Sequence, residues 1–431
     1  MKNITLYIDS TRSNKDTIFL RNLPDDGSLF EIIGIIRKIY KKKALIITRN
    51  VSFRGLTYAT MSLRNIIFNF PVSFTDCIFF DNVSFENCIF KDKVDFSNSK
   101  FKKSASFAHS IFEKEADFTE ADFGTKDKKN NASDVLQLGK ASFLSNVSFH
   151  YCNFYTKVSF ENTTFKALVD FHLSTFYEPE QFYWTDFANR AVFSNVTFKR
   201  EVQFLYNKVD KDTYISFESS AFEKCLDISR ANFTCNVNFW NISVKGEKEL
   251  FRRGYFSKYY DDFGTLEVRE GDKALSVYQK IRESYRIIKD NFYKNNDKIN
   301  GLAFYKREMH LYQKELGGSA RVKDSTVLFL NRISNNFGTN WLKAVAFTLL
   351  SGIITYGLVI LSLYEKISWD SYGLKDIFKH FLEILNIAEW EVHPFGLALG
   401  VWGYLALFIG RIFIIYGYYQ TIQAFRKFGK S

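Results

Sequence analysis

From Val72 to Phe239 the chain alternates short apolar and polar bursts, with an aromatic residue returning at steps of five and six. Phe74, Phe85, Phe96, Phe107 and Phe118 recur every eleven residues, and Phe79, Phe90, Phe101, Phe112 and Phe123 form a second series between them. After an interruption the pattern resumes as Phe149, Phe160, Phe171, Phe182, Phe193 and Phe204, interleaved with Phe143, Phe154, Phe165, Phe176, Phe187 and Phe198. It closes with Phe217, Ile228 and Phe239 against Phe222 and Phe233. The residue two before each Phe is usually small or β-branched, as at Val72, Cys77, Val83, Cys88, Val94 and Ala105. A step of five or six fits neither the 3.6 period of a helix nor the sustained 2.0 of a long strand, so each burst is one short side of a coil that then turns. Coils stacked about 4.8 Å apart put Phe over Phe inside and leave Ser, Asn, Asp, Glu and Lys outside, which defines a solenoid.

These residues resemble the pentapeptide-repeat family, whose tandem units carry a small residue and then a central Leu or Phe. The resemblance implies a right-handed, four-sided β-helix. This chain departs from the commonest form in preferring Phe and in alternating five with six. Two such pairs close a coil of 22 residues, giving an expected eight or so coils and a rod of about 35–40 Å.

The flanking pattern predicts further parts. Residues 1–50 stand outside the ladder, with short strands at ITLYI and TIFLRNL and a helix from Leu29 to about Tyr40. The isoleucines of that helix suit a cap over the first coil. Residues 51–244 make the solenoid, and a polar excursion near 124–140 loops out of it. Within 245–325, Tyr278, Ile281, Tyr285, Ile288 and Phe292 step by three and four, and so do Leu302, Tyr305, Met309, Tyr312 and Leu316. This predicts a helical hairpin with Lys280, Arg282, Arg286, Lys289, Arg307 and Lys314 outward. The string YKNNDKINGLAFYKREMHLYQK looks like the helical connector that joins pentapeptide repeats to membrane segments in bacterial proteins. In 326–431, Trp341–Tyr364 and Gly396–Tyr419 are apolar enough to span a bilayer, with an amphipathic segment, Leu374–Asn386, between them. The expected fold is a β-solenoid plus α: a β-helix, a cytoplasmic hairpin, and two transmembrane helices with a short intervening helix.

Charge refines this picture. The formal net charge is +11, which favours anionic partners. Basic residues flank the two spans while Glu365, Asp370, Asp376, Glu383, Glu389 and Glu391 crowd the link between them. The positive-inside rule then places both termini, the solenoid and the hairpin in the cytoplasm of a bacterial inner membrane. The start, MKNITLYIDSTRS, lacks an apolar core and predicts no secretory signal. Three of the five cysteines, Cys77, Cys88 and Cys152, occupy the small inward position and read as reduced packing residues. The six histidines are scattered, and no metal spacing, phosphate-cradling loop or nucleophile elbow is present. Neither an enzyme nor a cofactor is expected.

Span, short helix, span resembles the layout of a two-span ion channel, although the TVGYG filter of potassium channels is absent. That layout implies a homo-oligomer embedded in membrane lipids, a tetramer by channel analogy. Glu389 and Glu391 would then form an acidic ring near the outer mouth, and Arg411, in mid-span, would face a lumen or a partner such as Glu383. An anionic ligand, a nucleotide or single-stranded oligonucleotide, would meet Arg282, Arg286, Lys289, Arg307 and Lys314, with Lys41, Lys42 and Lys43 as a second basic run. The expected function is a channel-like membrane effector gated through its cytoplasmic part, resembling antiphage effectors that permeabilise membranes. The alternative is a membrane-anchored scaffold whose solenoid binds a protein partner without conductance.

Overall fold

The computed structural model describes residues 8–13, 17–24, 28–40, 44–58, 61–126, 134–245, 277–316, 322–367, 372–389 and 392–426. The chain forms two compact units, Met1–Ser284 and Tyr285–Ser431.

The first unit is a β-solenoid with four parallel sheets, three of nine strands and one of eight. That makes about nine turns, one more than the Phe ladder alone predicts, because Val51–Ser52, Thr57–Tyr58 and Met61–Ser62 pair ahead of the ladder in three sheets and Thr17–Leu20 and Ala44–Ile47 extend the first. Paired residues in stacked coils are 22 apart, as Ile89 with Ile111. The offset widens to 31 across the excursion, as Ile111 with Ser142, so the extra residues leave the pairing of all four sheets in register. Rings within a column stack nearly parallel along the rod; Phe68 and Phe90 have centroids 4.9 Å apart and planes 2° from parallel. Rings of neighbouring columns meet edge to face, as Phe85 and Phe96 at 5.2 Å and 76°. Both arrangements satisfy the quadrupole of the rings while filling the core.

The corners are built by two devices. One residue in every eleven sits in the left-handed region: Asn65, Asp76, Asn87, Asn98, His109 and Glu120, and after the excursion Lys140, Tyr151, Asn162, Leu173, Trp184, Asn195 and Tyr206, all with φ between 52° and 60°. In the series that precedes Phe90, Phe101, Phe112 and Phe165 by two, a small inward Ser, Thr or Cys then satisfies the corner carbonyls. Ser110 Oγ donates to the Phe85 carbonyl at 2.6 Å and accepts from the Cys88 amide at 3.0 Å. Thr163 and Cys88 donate to the Leu138 and Leu63 carbonyls at 2.8 and 2.7 Å. The position therefore selects for a small donor as much as for small volume.

At the start of the rod α1 (Ser28–Ile39) buries Leu29, Ile32, Ile33 and Ile36 against the strand Met61–Ser62, and Arg37 donates to the Asn65 carbonyl at 3.0 Å. Toward the other end the acids of the ladder are not all solvated, contrary to the expectation that they lie on its outer faces. Glu180, Glu201 and Asp227 are buried. Gln181 donates to Gln203 at 2.8 Å and Gln203 to Asp227 at 3.1 Å, making an amide ladder on the fourth sheet. The first residues of α2 (Val277–Lys294) join this unit: Ser284 Oγ accepts from the Ile228 amide at 2.9 Å. Lys280, expected outward, is buried here too.

The second unit is helical. From Tyr285 on, α2 packs Tyr285 and Phe292 against Phe304 of α3 (Lys298–Leu316), each pair at 5.7 Å. The predicted stripe of α3 has another partner: Tyr305, Met309 and Tyr312 pack with Leu316 around Leu328 and Phe337. Leu328 lies on α4 (Val322–Asn335), a helix the periodicity reading missed. Then come α5 (Trp341–Leu363), α6 (Leu374–Leu385) and α7 (Val401–Arg426).

Candidate functional site

Two stretches of 26 residues, Trp341–Lys366 and Val401–Arg426, reach mean hydropathies of 2.2 and 1.5 in their most apolar windows, and each is about 39 Å long at 1.5 Å per residue. A soluble core helix would be mostly buried, yet only 33% and 28% of those windows is covered. Leu350, Ile353, Leu358 and Leu361 of α5, and Trp402, Phe408, Ile412 and Ile422 of α7, stand exposed. The two helices are therefore long and apolar enough to cross a membrane and carry the outward apolar surface that such a crossing requires.

They pack antiparallel through a seven-residue register. Gly403, Gly410 and Gly417 lie against Ser362, Thr355 and Thr348, so that a Cβ at Gly403 would stand 2.8 Å from Ser362 Oγ and one at Gly410 2.7 Å from Thr355 Cβ. Thr348 and Thr355 return their hydroxyls to the Ala344 and Ser351 carbonyls of their own helix at 2.9 and 2.7 Å. Small residues let the backbones approach closely without leaving polar groups unmet. At the termini side, α4 is tied in by amides: Tyr416 Oη and Gln420 Nε2 donate to Asn331 Oδ1 at 2.7 and 3.1 Å. Asn335 donates to Gln423 at 3.2 Å.

Helix α6 does not run along the far ends of the spans. Its twelve residues, about 18 Å, descend to their middle. Leu385 packs so closely on Gly352, the central residue of α5, that a Cβ there would lie 2.6 Å from its Cδ2. The last carbonyls of α6 are taken by α7: Arg411 Nη2 donates to Asn386 O at 2.9 Å and Tyr418 Oη to Leu385 O at 3.2 Å. A guanidinium at a helix C-terminus meets the negative end of the dipole, which gives buried Arg411 a structural seat. Glu383 is turned elsewhere: its carboxylate meets His380 Nδ1 at 2.9 Å and Lys379 at 3.9 Å. The expected Arg411–Glu383 pairing is thus replaced by Arg411–Asn386.

Beyond α6 the chain turns at Asn386–Glu389, with Asn386, Ala388 and Glu389 exposed. Glu389 follows four residues after Leu385, the residue of α6 that packs on the middle of α5. The return is fixed by Tyr372 Oη, which donates to Phe395 O at 2.9 Å, and by the Phe395 amide, which donates to His380 Nε2 at 3.2 Å. The turn Pro394–Gly396 also delays α7, which starts five residues after the predicted Gly396 and runs seven past Tyr419.

The basic hairpin residues differ in exposure and in pairing. Lys289 is largely buried and pairs with Glu308 at 2.9 Å and Asp290 at 3.5 Å. Burial opposes its charge, but the hydrogen bond and charge of Glu308, with Asp290, hold its pKa above the usual lysine value. Arg286 pairs with Asp290 at 3.1 Å, and Arg307 lies over the Phe304 ring at 5.0 Å. Arg282 is half-buried, and Arg286 and Lys314 are exposed. Glu391, Lys41, Lys42 and Lys43 lie outside the described residues. Among the described residues no group of three His, Cys, Asp or Glu side chains could hold a metal ion. The buried thiols Cys77 and Cys88 have their pKa pushed up to about 11 and about 12 by desolvation, which makes them packing groups, not nucleophiles. The sevenfold register of glycines and hydroxyls was readable in the sequence as a spacing; the seat of Arg411 on a backbone carbonyl had no sequence signal.

Residues 85–125 and 160–205 match the family model for pentapeptide repeats, with nine copies. Searches of curated proteins and of solved structures returned no significant match.

Proposed function

We propose that this chain, whose solenoid is built of pentapeptide repeats, is an oligomeric, ion-channel-like membrane effector. The observation that carries the reading is the half-depth helix α6, which brings the exposed turn Asn386–Glu389 to the middle of two apolar spans. In hydrocarbon an exposed carboxylate and open backbone are costly, and non-helical chain at that depth is tolerated where it lines a water-filled, protein-walled cavity. Copies of the chain arranged around an axis, four by analogy with two-span channels, supply that cavity. A ring of Glu389, joined by Glu391, would favour cations. The basic flanks of the spans support termini, solenoid and hairpin on the cytoplasmic face of a bacterial inner membrane.

On this reading the solenoid and hairpin receive the signal that sets the pore. The exposed Arg286 and Lys314, with Arg282, Lys289, Arg307 and Lys41–Lys43, would contact an anionic ligand such as a nucleotide or single-stranded oligonucleotide, in a membrane effector serving antiphage defence. Oligonucleotide affinity that is unchanged when Arg286 and Lys314 are neutralised would exclude the hairpin. The engagement of Lys289 and Arg307 inside the hairpin favours a second reading, a membrane-anchored scaffold whose regular outer faces bind a protein. The pore is tested directly by Glu389→Cys in full-length protein in vesicles. Modification by a membrane-impermeant charged thiol reagent is expected if position 389 faces water; a thiol that stays inert while the protein is folded would place it in lipid and contradict the pore.

A further inference from the structure

We propose that His380 is a pH-sensitive latch on the turn that follows the pore-lining segment; the gating consequence rests on the pore reading above, while the latch itself does not. The Phe395 amide donates to His380 Nε2 at 3.2 Å, so that nitrogen carries a lone pair and no proton. The ring proton is then on Nδ1, 2.9 Å from Glu383 Oε2, and the imidazole is neutral. What this bond holds is under tension. Phe395 has φ 57°, a left-handed conformation that a bulky residue adopts only when its surroundings impose it. Phe395 is buried in one core cluster with Leu385, Val392 and Leu399; Tyr372 Oη donates to its carbonyl at 2.9 Å, and its ring packs on Tyr372 at 4.7 Å and on His380 at 4.6 Å. The same imidazole thus supplies a ring contact and the amide's acceptor.

A proton added from water to Nε2 converts this acceptor into a donor, and the Phe395 amide loses its partner. The charged and titratable groups around the imidazole are Glu383 and, 3.9 Å from that carboxylate, Lys379, both on α6. Tyr372 precedes α6, His393 lies in the returning chain, and Tyr356 of α5 interacts with Glu383. The turn Pro394–Gly396 then keeps only its own bonds, Gly396 N to His393 O at 3.0 Å and Leu397 N to Pro394 O at 3.1 Å, and that from Tyr372, and the mid-depth segment that it ends is held less firmly. Conductance is expected to fall with it.

Two measurements on the full-length protein in phosphatidylethanolamine–phosphatidylglycerol bilayers decide this. Hydrogen exchange of the peptide spanning residues 392–399, corrected for intrinsic rates, is followed from about pH 7.5 to about pH 5, the range in which imidazoles titrate, beside current recorded with the same pH change on the side opposite the termini. In the wild type, protection of the Phe395 amide and current are expected to fall together. In His380→Gln, whose side-chain oxygen accepts without titrating, both stay at their neutral-pH level. Protection that does not change in the wild type, or that falls equally in His380→Gln, overturns the latch. Current that varies while protection stays constant also overturns it and leaves the pore standing. Protection that varies in a protein passing no current upholds the latch and contradicts the pore.

Discussion

At the residue scale the solenoid depends on its corners, and the left-handed position distinguishes residues that suit it from residues that are merely tolerated. Asn65, Asn87, Asn98, Asn162 and Asn195 suit it; Leu173 does not, with φ 59° on a branched apolar side chain that is largely exposed. Leu173→Asn should relieve about 1 kcal/mol and raise the thermal midpoint of the solenoid, measured by circular dichroism. Ser110→Ala removes the partner of two buried backbone groups and should cost about 1–3 kcal/mol. Ser110→Cys should cost clearly less, since Cys88 makes the equivalent bond one coil away; equal losses would mean that volume alone matters. Glu180 gives a pH prediction. Its carboxyl is buried, and desolvation raises its pKa well above 4.5 despite the hydrogen bond from the Val158 amide at 3.2 Å. The folded state therefore holds this proton more tightly than the unfolded chain. The contribution of this group to stability is greatest below pH 4.5 and declines as pH rises toward the folded pKa. Glu180→Gln should abolish that decline and leave the solenoid more stable at neutral pH, read from urea midpoints across the pH range. The Phe columns and small positions were legible as spacing. The burial of Asp227 was not, because in one dimension the register of Gln181, Gln203 and Asp227 is that of outward Ser84 and Ser159, whereas Glu180 stands two before Phe182, at the small inward position.

At the scale of elements, the antiparallel pair α5–α7 is specified by three contacts in one register. Gly410→Leu drives a side chain into Thr355 and should destroy the helix pair, seen as loss of a monodisperse species in detergent and of protease resistance. Gly410→Ala, which fails for the same reason, should be rescued in part by Thr355→Ala. If Gly410→Leu is folded and monodisperse, the register is wrong. Hydropathy located both spans, but it placed the second five residues early, since it cannot register that Pro394 and the left-handed Phe395 hold the chain out of helix. Periodicity found the hairpin and misassigned the partner of Tyr305, Met309 and Tyr312, because it reports that a face is apolar and not what covers it. The same limit hid α4, whose inward residues Asn331 and Asn335 are polar and match the amides of α7.

At the scale of the molecule, a rod with a continuous aromatic core and a helical unit with uncovered apolar flanks are joined in one chain, and nothing in the composition or charge required the second to conduct. What separates a pore from a tether is the depth of one short helix. The order of span, amphipathic segment and span was legible in the sequence, whereas the depth comes from Leu385 against Gly352 and Arg411 on Asn386 O. The measurement that bears on this most directly is single-channel recording from purified full-length protein in planar bilayers, comparing the wild type with Glu389→Lys. Discrete cation-selective openings whose selectivity weakens or reverses in Glu389→Lys are the predicted result. Silence from folded, oligomeric protein, or openings with the same selectivity in both, would contradict the account.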